Sequence, residues 1–130
     1  MMRQKWRALS SSRFVHHMTE HIIDVKNKRL GRIASEIASL LQGKHEVGYN
    51  PRLQSANRII VKNISHITVG GNKATTKVYY RHAGKLGHLK VKKFQDVFAK
   101  DPKWVLRHAV NLMLPKNRLR AKRMRMLTFE

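Results

Sequence analysis

The sequence predicts an α/β domain, and three observations carry that prediction. Residues 21–25 (HIIDV) form a short β-branched run, and a helical period opens at Leu30 after a brief polar connection. Ile59-Ile60-Val61 is a continuous apolar run, the pattern of a strand covered on both faces. Strand, short loop and amphipathic helix in that order suggest an α/β unit. A chain of 130 residues, 42% of them hydrophobic, is expected to form one domain with a core of its own.

The elements follow in chain order. Residues 21–25 are the first strand. Ile33, Ile37, Leu40 and Leu41 then fall at i, i+4, i+7 and i+8, with Ala34 and Ala38 beside them, which marks one face of a helix. Gly43 stands where a left-handed residue would close that helix. Residues 44–57 contain Gly48, Pro51 and several polar residues and read as a loop. Strands are expected at residues 59–61 and 66–69, and Gly70-Gly71-Asn72 is a turn signal. Residues 77–80 read as a further strand or an extended arm, and residues 81–90 as an exposed loop. Phe94, Val97 and Phe98 give a short helical face. Asp101-Pro102 reads as a cap followed by proline at the first helical position. Trp104, Val105, His108, Ala109, Leu112 and Met113 continue that second helix with 3–4 spacing, and Pro115 stops it. Residues 116–125 read as a basic tail, with Leu119, Met124, Met126 and Leu127 as its anchors.

Charge decides the functional class. Twenty-eight Lys and Arg stand against seven Asp and Glu, a formal net charge of +21. Such an excess repels itself and opposes folding. It is tolerable when the partner is a dense polyanion, and nucleic acid releases condensed counterions as it is neutralised. Membrane-surface binding would want one strongly amphipathic basic helix, whereas these cations are spread along the whole chain. No stretch approaches the ~20 apolar residues of a membrane span. There is no cysteine, hence no disulfide framework or thiolate metal site. Residues 1–20 are Arg- and Ser-rich with a single acid, Glu20. They read as a basic arm or extension lying on RNA. A transit peptide, or an upstream start ahead of Met18, is the alternative. Residues 21–130 are expected to be the single domain.

Catalytic and metal chemistry find little support. Asp24 ends the first strand, a common position for active-site acids in α/β folds, but it can equally fix the next loop or pair with Arg32. His16, His17 and His21 lie close in sequence, but no Cys and no HExxH pattern supports a metal site. Gly84-Lys85-Leu86-Gly87 is a GxxG, which in a KH domain clamps a backbone between two helices; here its neighbours do not read as helices. Neither Gly43-Lys44 nor Gly84-Lys85 has the upstream glycine of a phosphate-binding Walker loop.

The cations instead form clusters. Lys73, Lys77, Arg81, Lys85, Lys90, Lys92 and Lys93 crowd around Tyr79, Tyr80, His82 and His88. Cations can hold phosphates while aromatic faces accept unstacked bases. Lys116, Arg118, Arg120, Lys122, Arg123 and Arg125 form a second cluster with no acid among them. Both are read as RNA-binding.

Five short motifs occur in order: Leu30-Gly31-Arg32-Ile33-Ala34-Ser35, Leu41-Gln42-Gly43-Lys44-His45, Gly71-Asn72-Lys73, Lys77-Val78-Tyr79-Tyr80-Arg81-His82 and Met113-Leu114-Pro115-Lys116-Asn117-Arg118-Leu119. With them, residues 21–128 resemble the universal large-subunit ribosomal protein L-thirteen family in its bacterial or organellar form. The resemblance implies a three-layer α/β/α domain around a small, mainly parallel sheet of about four strands. It implies no enzymatic activity and no cofactor. It implies a structural constituent of the large ribosomal subunit that binds ribosomal RNA, adjoins neighbouring ribosomal proteins and supports early assembly and translation. No membrane and no small-molecule substrate are implied as partners. The expected location is the ribosome of a bacterial-type cytoplasm, with the mitochondrial ribosome as the alternative. Carried over by motif, Lys44, His45, Lys73, residues 77–82, Lys116, Asn117 and Arg118 would face RNA. Two segments depart from the family pattern. Pro51 leads into Arg52-Leu53-Gln54-Ser55-Ala56-Asn57-Arg58, where the family carries acids, so Arg52 joins the RNA-facing set. The family's glycine-rich loop reads His82-Ala83-Gly84-Lys85-Leu86-Gly87-His88 here, and Lys85 and His88 stay in the set with Lys90. A DNA-organising protein of similar charge is the runner-up reading.

Overall fold

The computed structural model describes residues 19–130; residues 1–18 of the expected basic arm lie outside them. The elements in order are β1 (Glu20–Asp24), α1 (Leu30–Gln42), β2 (Arg58–Lys62), a 3-10 turn (Ile64–His66), α2 (Lys73–Thr76), β3 (Val78–His82), β4 (Leu89–Lys93), α3 (Phe94–Lys100), α4 (Pro102–Met113), α5 (Leu119–Arg125) and β5 (Leu127–Phe129). The mixed α/β class is as expected.

Two sheets are present. β2 lies between β1 and β5 in a parallel three-stranded sheet, and β3 pairs with β4 as an antiparallel ribbon. Ile23 registers with Val61, and Ile59 with Leu127. These four side chains are buried in one cluster with Ile33, Ile37 and Leu41 of α1 and Val105, Leu106 and Val110 of α4. Alternation sends Ile22 to the opposite sheet face, where it is exposed. The strand expected at residues 66–69 shrinks to a single parallel bridge between Arg29 and Thr68. Asn63 takes a left-handed conformation (φ 60°) straight after β2, and the chain curls into the 3-10 turn instead of extending.

Local signals explain α1 and α4. α1 buries Ile33, Ala34, Ile37, Ala38 and Leu41 and ends at Gly43, whose φ of 75° is left-handed and whose N–H donates to the Leu40 carbonyl. The Asp101 side chain accepts from the Trp104 N–H and caps α4, with Pro102 in its first turn. The buried face of α4 is rotated from the expected one. Val105, Leu106 and Val110 are inside, whereas Leu112 and Met113 are exposed.

The C-terminal segment is the main correction. It is folded rather than trailing: α5 and β5 take up residues 119–129. Leu114 before it and Leu127 after it are both buried, so residues 115–126 form a basic loop and helix pinned at both ends. Of its two anchoring leucines Leu127 is legible in the sequence, but a three-residue strand gains its identity only by pairing with β2.

Gly43 sets the path of the following loop. A Cβ there would lie 2.8 Å from the Ser55 Cβ, and the backbone is already left-handed. Gly43→Ala is therefore expected to lower the free energy of unfolding by about 1–3 kcal/mol in urea melts. A loss below about 0.5 kcal/mol would mean that the loop is not constrained here.

Candidate nucleic-acid interface

Three basic regions stand outside the core, each held by a different device. The first is the β3–β4 ribbon. Residues 77–93 contain no acid. Tyr79 registers with Lys92 and Arg81 with Lys90, so these four share one face; Tyr80 registers with Val91 and His82 with Leu89 on the other. Like charges directly opposite one another destabilise a ladder, and a two-stranded ribbon is marginal by itself. Its base is fixed by aromatic packing. Tyr79 sits edge-on to Trp104 (5.2 Å) and to His108 (5.5 Å), and Phe94 stacks on Phe98 (5.5 Å). Lys77 Nζ lies 5.2 Å from the Tyr79 ring centre and 5.9 Å from that of Phe94. At the tip, Gly84 and Gly87 adopt φ of 83° and 81°, and the Gly84 N–H donates to His82 Nδ1. The GxxG thus joins two strands, unlike the helix–helix loop of a KH domain. Arg81, His82, Lys85, His88 and Lys90 are all exposed along this ribbon, as is Lys73 at the start of α2.

Tyr79 and Tyr80 part company. Tyr80 is 67% exposed and free to stack, whereas Tyr79 is half-buried in the aromatic cluster and serves as its hub. Burial raises the Tyr79 phenol above its ordinary value. Burial first, and the nearby Lys77 ammonium second, hold the His108 imidazole below its ordinary value, which favours an uncharged ring at neutral pH.

The second region is the loop after α1. Lys44 and His45 are exposed just beyond the helix C-terminus, where a cation also complements the helix dipole. Arg52 is exposed in a turn whose N–H groups at Arg52 and Leu53 donate to the Asn50 side chain and carbonyl. Buried Asn57 ties this loop down. Its Nδ2 donates to the Leu40 carbonyl at 3.0 Å and to Glu46 Oε1 at 2.6 Å, and its Oδ1 accepts from the Thr19 hydroxyl.

The third region is the segment from Lys116 to the end of α5. Lys116, Arg118, Lys122 and Arg125 are exposed and Arg120 is half-buried. Two members of the expected set have other work. Asn117 Oδ1 accepts from the N–H groups of Leu119 and Arg120, so it closes the first turn of α5. Arg123 is only 2% exposed, and its guanidinium donates to the Leu53 carbonyl at 3.3 Å. It points inward because it follows Leu119 at i+4, the spacing of one helix face. Arg123 is therefore withdrawn from the RNA-facing set and serves as a strut between α5 and the loop of residues 44–56.

The acids do structural work. Asp24 Oδ1 accepts from the Lys26 N–H and from Asn63 Nδ2, and these bonds, the Lys26 one foremost, hold its carboxyl below the ordinary range. A carboxylate held this way locks a turn and is a poor general base. Glu20 pairs with Arg58 (3.3 Å) and Glu130 with Lys62 (3.0 Å). Among the described residues, no cation of the ribbon or of residues 116–125 lies within 4.0 Å of a carboxylate. Nor does any group of three or more His, Cys, Asp or Glu among them suit a metal ion, and no helix is long and apolar enough to cross a membrane.

Sequence reasoning missed one part of this surface. Trp104 and His108 stack with centroids 4.8 Å apart and planes 8° from parallel. Their 3–4 spacing marks a helix and no more, and in the structure they border an open groove between α4 and α5 that Arg107 also lines. The i, i+3, i+4 run Trp104, Arg107, His108 was the available signal.

The architecture defines a class: a small basic α/β protein in which most of the acids bond within the fold and many of the surplus cations stand on three anchored surface regions. The chain belongs to the Ribosomal protein L13 family, whose profile matches residues 18–129. It is 48% identical over 99 residues to the large ribosomal subunit protein uL13 of Vibrio atlanticus, and 43% identical over 99 residues to that of Alkalilimnicola ehrlichii; each match covers 76% of this chain and 70% of the relative. The protein of the same name from Psychromonas ingrahamii is 44% identical over 98 residues, 75% of this chain and 69% of that one. Membership makes this a structural ribosomal protein and not an enzyme.

The opposite orientations of two arginines in α5 can be tested directly. Arg123→Ala should lower unfolding free energy by about 1–3 kcal/mol, because it empties a buried side-chain volume and removes the tie to the Leu53 carbonyl. Arg125→Ala, on the exposed side, should change it by less than about 0.5 kcal/mol. Equal losses in urea melts would contradict the assigned orientations.

Proposed function

We propose that the protein is a constituent of the large ribosomal subunit that binds folded ribosomal RNA and supports early subunit assembly and translation. Residues 21–130 act as one RNA-binding domain, and residues 1–20 as a basic arm. Contact is multipoint. Lys73, Arg81, Lys85 and Lys90 of the ribbon region, Lys44, His45 and Arg52 of the loop, and Lys116, Arg118, Arg120, Lys122 and Arg125 meet phosphates, while Tyr80, His82 and His88 meet bases or sugars. Lys77 and Tyr79 support the ribbon from its base, and Asn117 shapes α5. Neighbouring large-subunit proteins are further partners, while a membrane and a small-molecule substrate are not. The bacterial relatives support a place in the ribosome of a bacterial-type cytoplasm, with the mitochondrial ribosome as the alternative.

One observation carries this reading: the acid-free ribbon sets Arg81 directly opposite Lys90. That arrangement is costly in water and becomes favourable when phosphate lies across it.

The test is filter binding of the purified protein to large-subunit ribosomal RNA across a salt series. With roughly ten phosphate contacts, affinity should fall ~10³–10⁵-fold between about 50 and about 200 mM salt. Folded ribosomal RNA should also out-compete duplex DNA. A flat salt response, or equal competition by DNA, would overturn the proposal.

A further inference from the structure

α4 and α5 wall an open groove of about 540 Å³. That volume lies within the ~300–1,000 Å³ over which proteins enclose small ligands. The stacked Trp104–His108 pair and Met124 give the groove an apolar, aromatic lining, whereas Arg107, Arg120 and Arg125 line it with positive charge. No carboxylate lines it.

The aromatic pair is already in place. Tyr79 abuts both rings edge-on, at 89° and 90°, so neither turns freely. Trp104 is nevertheless 39% exposed. A fixed aromatic surface beside three guanidinium groups matches a ligand that joins a flat ring to an anion. A helical peptide would meet the arginines with acids but would leave the flat stack without a planar partner. A duplex would satisfy the charge but keeps its bases stacked on one another.

We infer that this groove takes one unpaired nucleotide of RNA, its base continuing the Trp104–His108 stack and its phosphates held by Arg107, Arg120 and Arg125. The inference rests on the RNA-binding function proposed above and gives it a base-contacting site beyond the ribbon. Asn111, also in the lining, offers an amide to the base edge. Pre-ordering by Tyr79 lowers the entropy lost when the base docks.

Trp104 reports on the site itself. The chain has two tryptophans, so a full-length Trp6→Phe protein leaves Trp104 as the sole indole emitter. Single-stranded oligoadenylate should quench it, while a fully paired RNA duplex and heparin, a polyanion without bases, should bind without quenching. Measured by filter binding, Trp104→Leu should weaken oligoadenylate binding about 5- to 150-fold and heparin binding far less. Arg120→Gln with Arg125→Gln keeps the aromatic packing and should weaken oligoadenylate binding too, which guards against a folding defect in Trp104→Leu. Quenching by heparin or by the duplex equal to that by oligoadenylate would overturn the inference, as would binding indifferent to both variants. Large-subunit ribosomal RNA is titrated alongside. If it binds with the steep salt response but oligoadenylate does not quench, only the groove site falls. If it does not bind at all, the RNA-binding function falls with it.

Discussion

Mutual repulsion among cations that have few carboxylates to answer them constrains everything else in this fold. A net charge of +21 must be held on a body with one modest core. The solution separates the two tasks. Ile23, Ile59, Val61 and Leu127 bring three parallel strands against α1 and α4 without a single buried carboxylate. Many of the cations are exported to the ribbon, to the loop after α1 and to the α5 segment. Each exported region is returned to the core at its root: Tyr79 and Phe94 for the ribbon, Asn57 for the loop, Leu114 and Leu127 for the C-terminal segment. Rigid roots matter because surface cations held in fixed register lose less entropy on binding than a trailing polycation would.

The scarce acids and one arginine show how narrow the margin is. Glu46 is drawn to the Asn57 amide, Asp24 locks a turn, Asp101 caps α4, and Glu20 and Glu130 pair across the ends of the sheet. Arg123 is buried with the Leu53 carbonyl as its acceptor, and its Nε has no partner among the described residues. Burying a cation without a carboxylate is unfavourable. What the arrangement secures is geometry: α5 and the loop of residues 44–56 are tied together, so two of the three basic regions keep a fixed spacing.

Most local signals were legible in the sequence, the strand at residues 66–69 and the buried face of α4 excepted, whereas several non-local pairings were not. α1 was legible from the spacing of Ile33, Ile37 and Leu41, and its end from Gly43, because both depend on neighbours within a few residues. The Asp101-Pro102 start of α4 was legible for the same reason. The ribbon was half-legible: β3 carries β-branched and aromatic residues, but β4 reads Leu89-Lys90-Val91-Lys92-Lys93 and has no buried face to announce it. It is a strand only because β3 pairs with it. β5 is three residues long and is defined by β2 alone. Among site residues, the exposed cations are found by counting charge, which cannot tell a solvated guanidinium from the buried one of Arg123, and helical spacing alone does not show that Trp104 borders a groove.

The central claim, that the fold tolerates its surplus charge because a polyanion normally quenches it, has opposite consequences for the free and the bound protein. The most direct measurement is the thermal midpoint of the full-length protein across a salt series, with and without large-subunit ribosomal RNA. The account predicts that salt stabilises the free protein by screening self-repulsion, that RNA stabilises it most at low salt, and that the two curves converge as salt rises. A free protein indifferent to salt, together with a midpoint that RNA leaves unmoved at low salt, would contradict it.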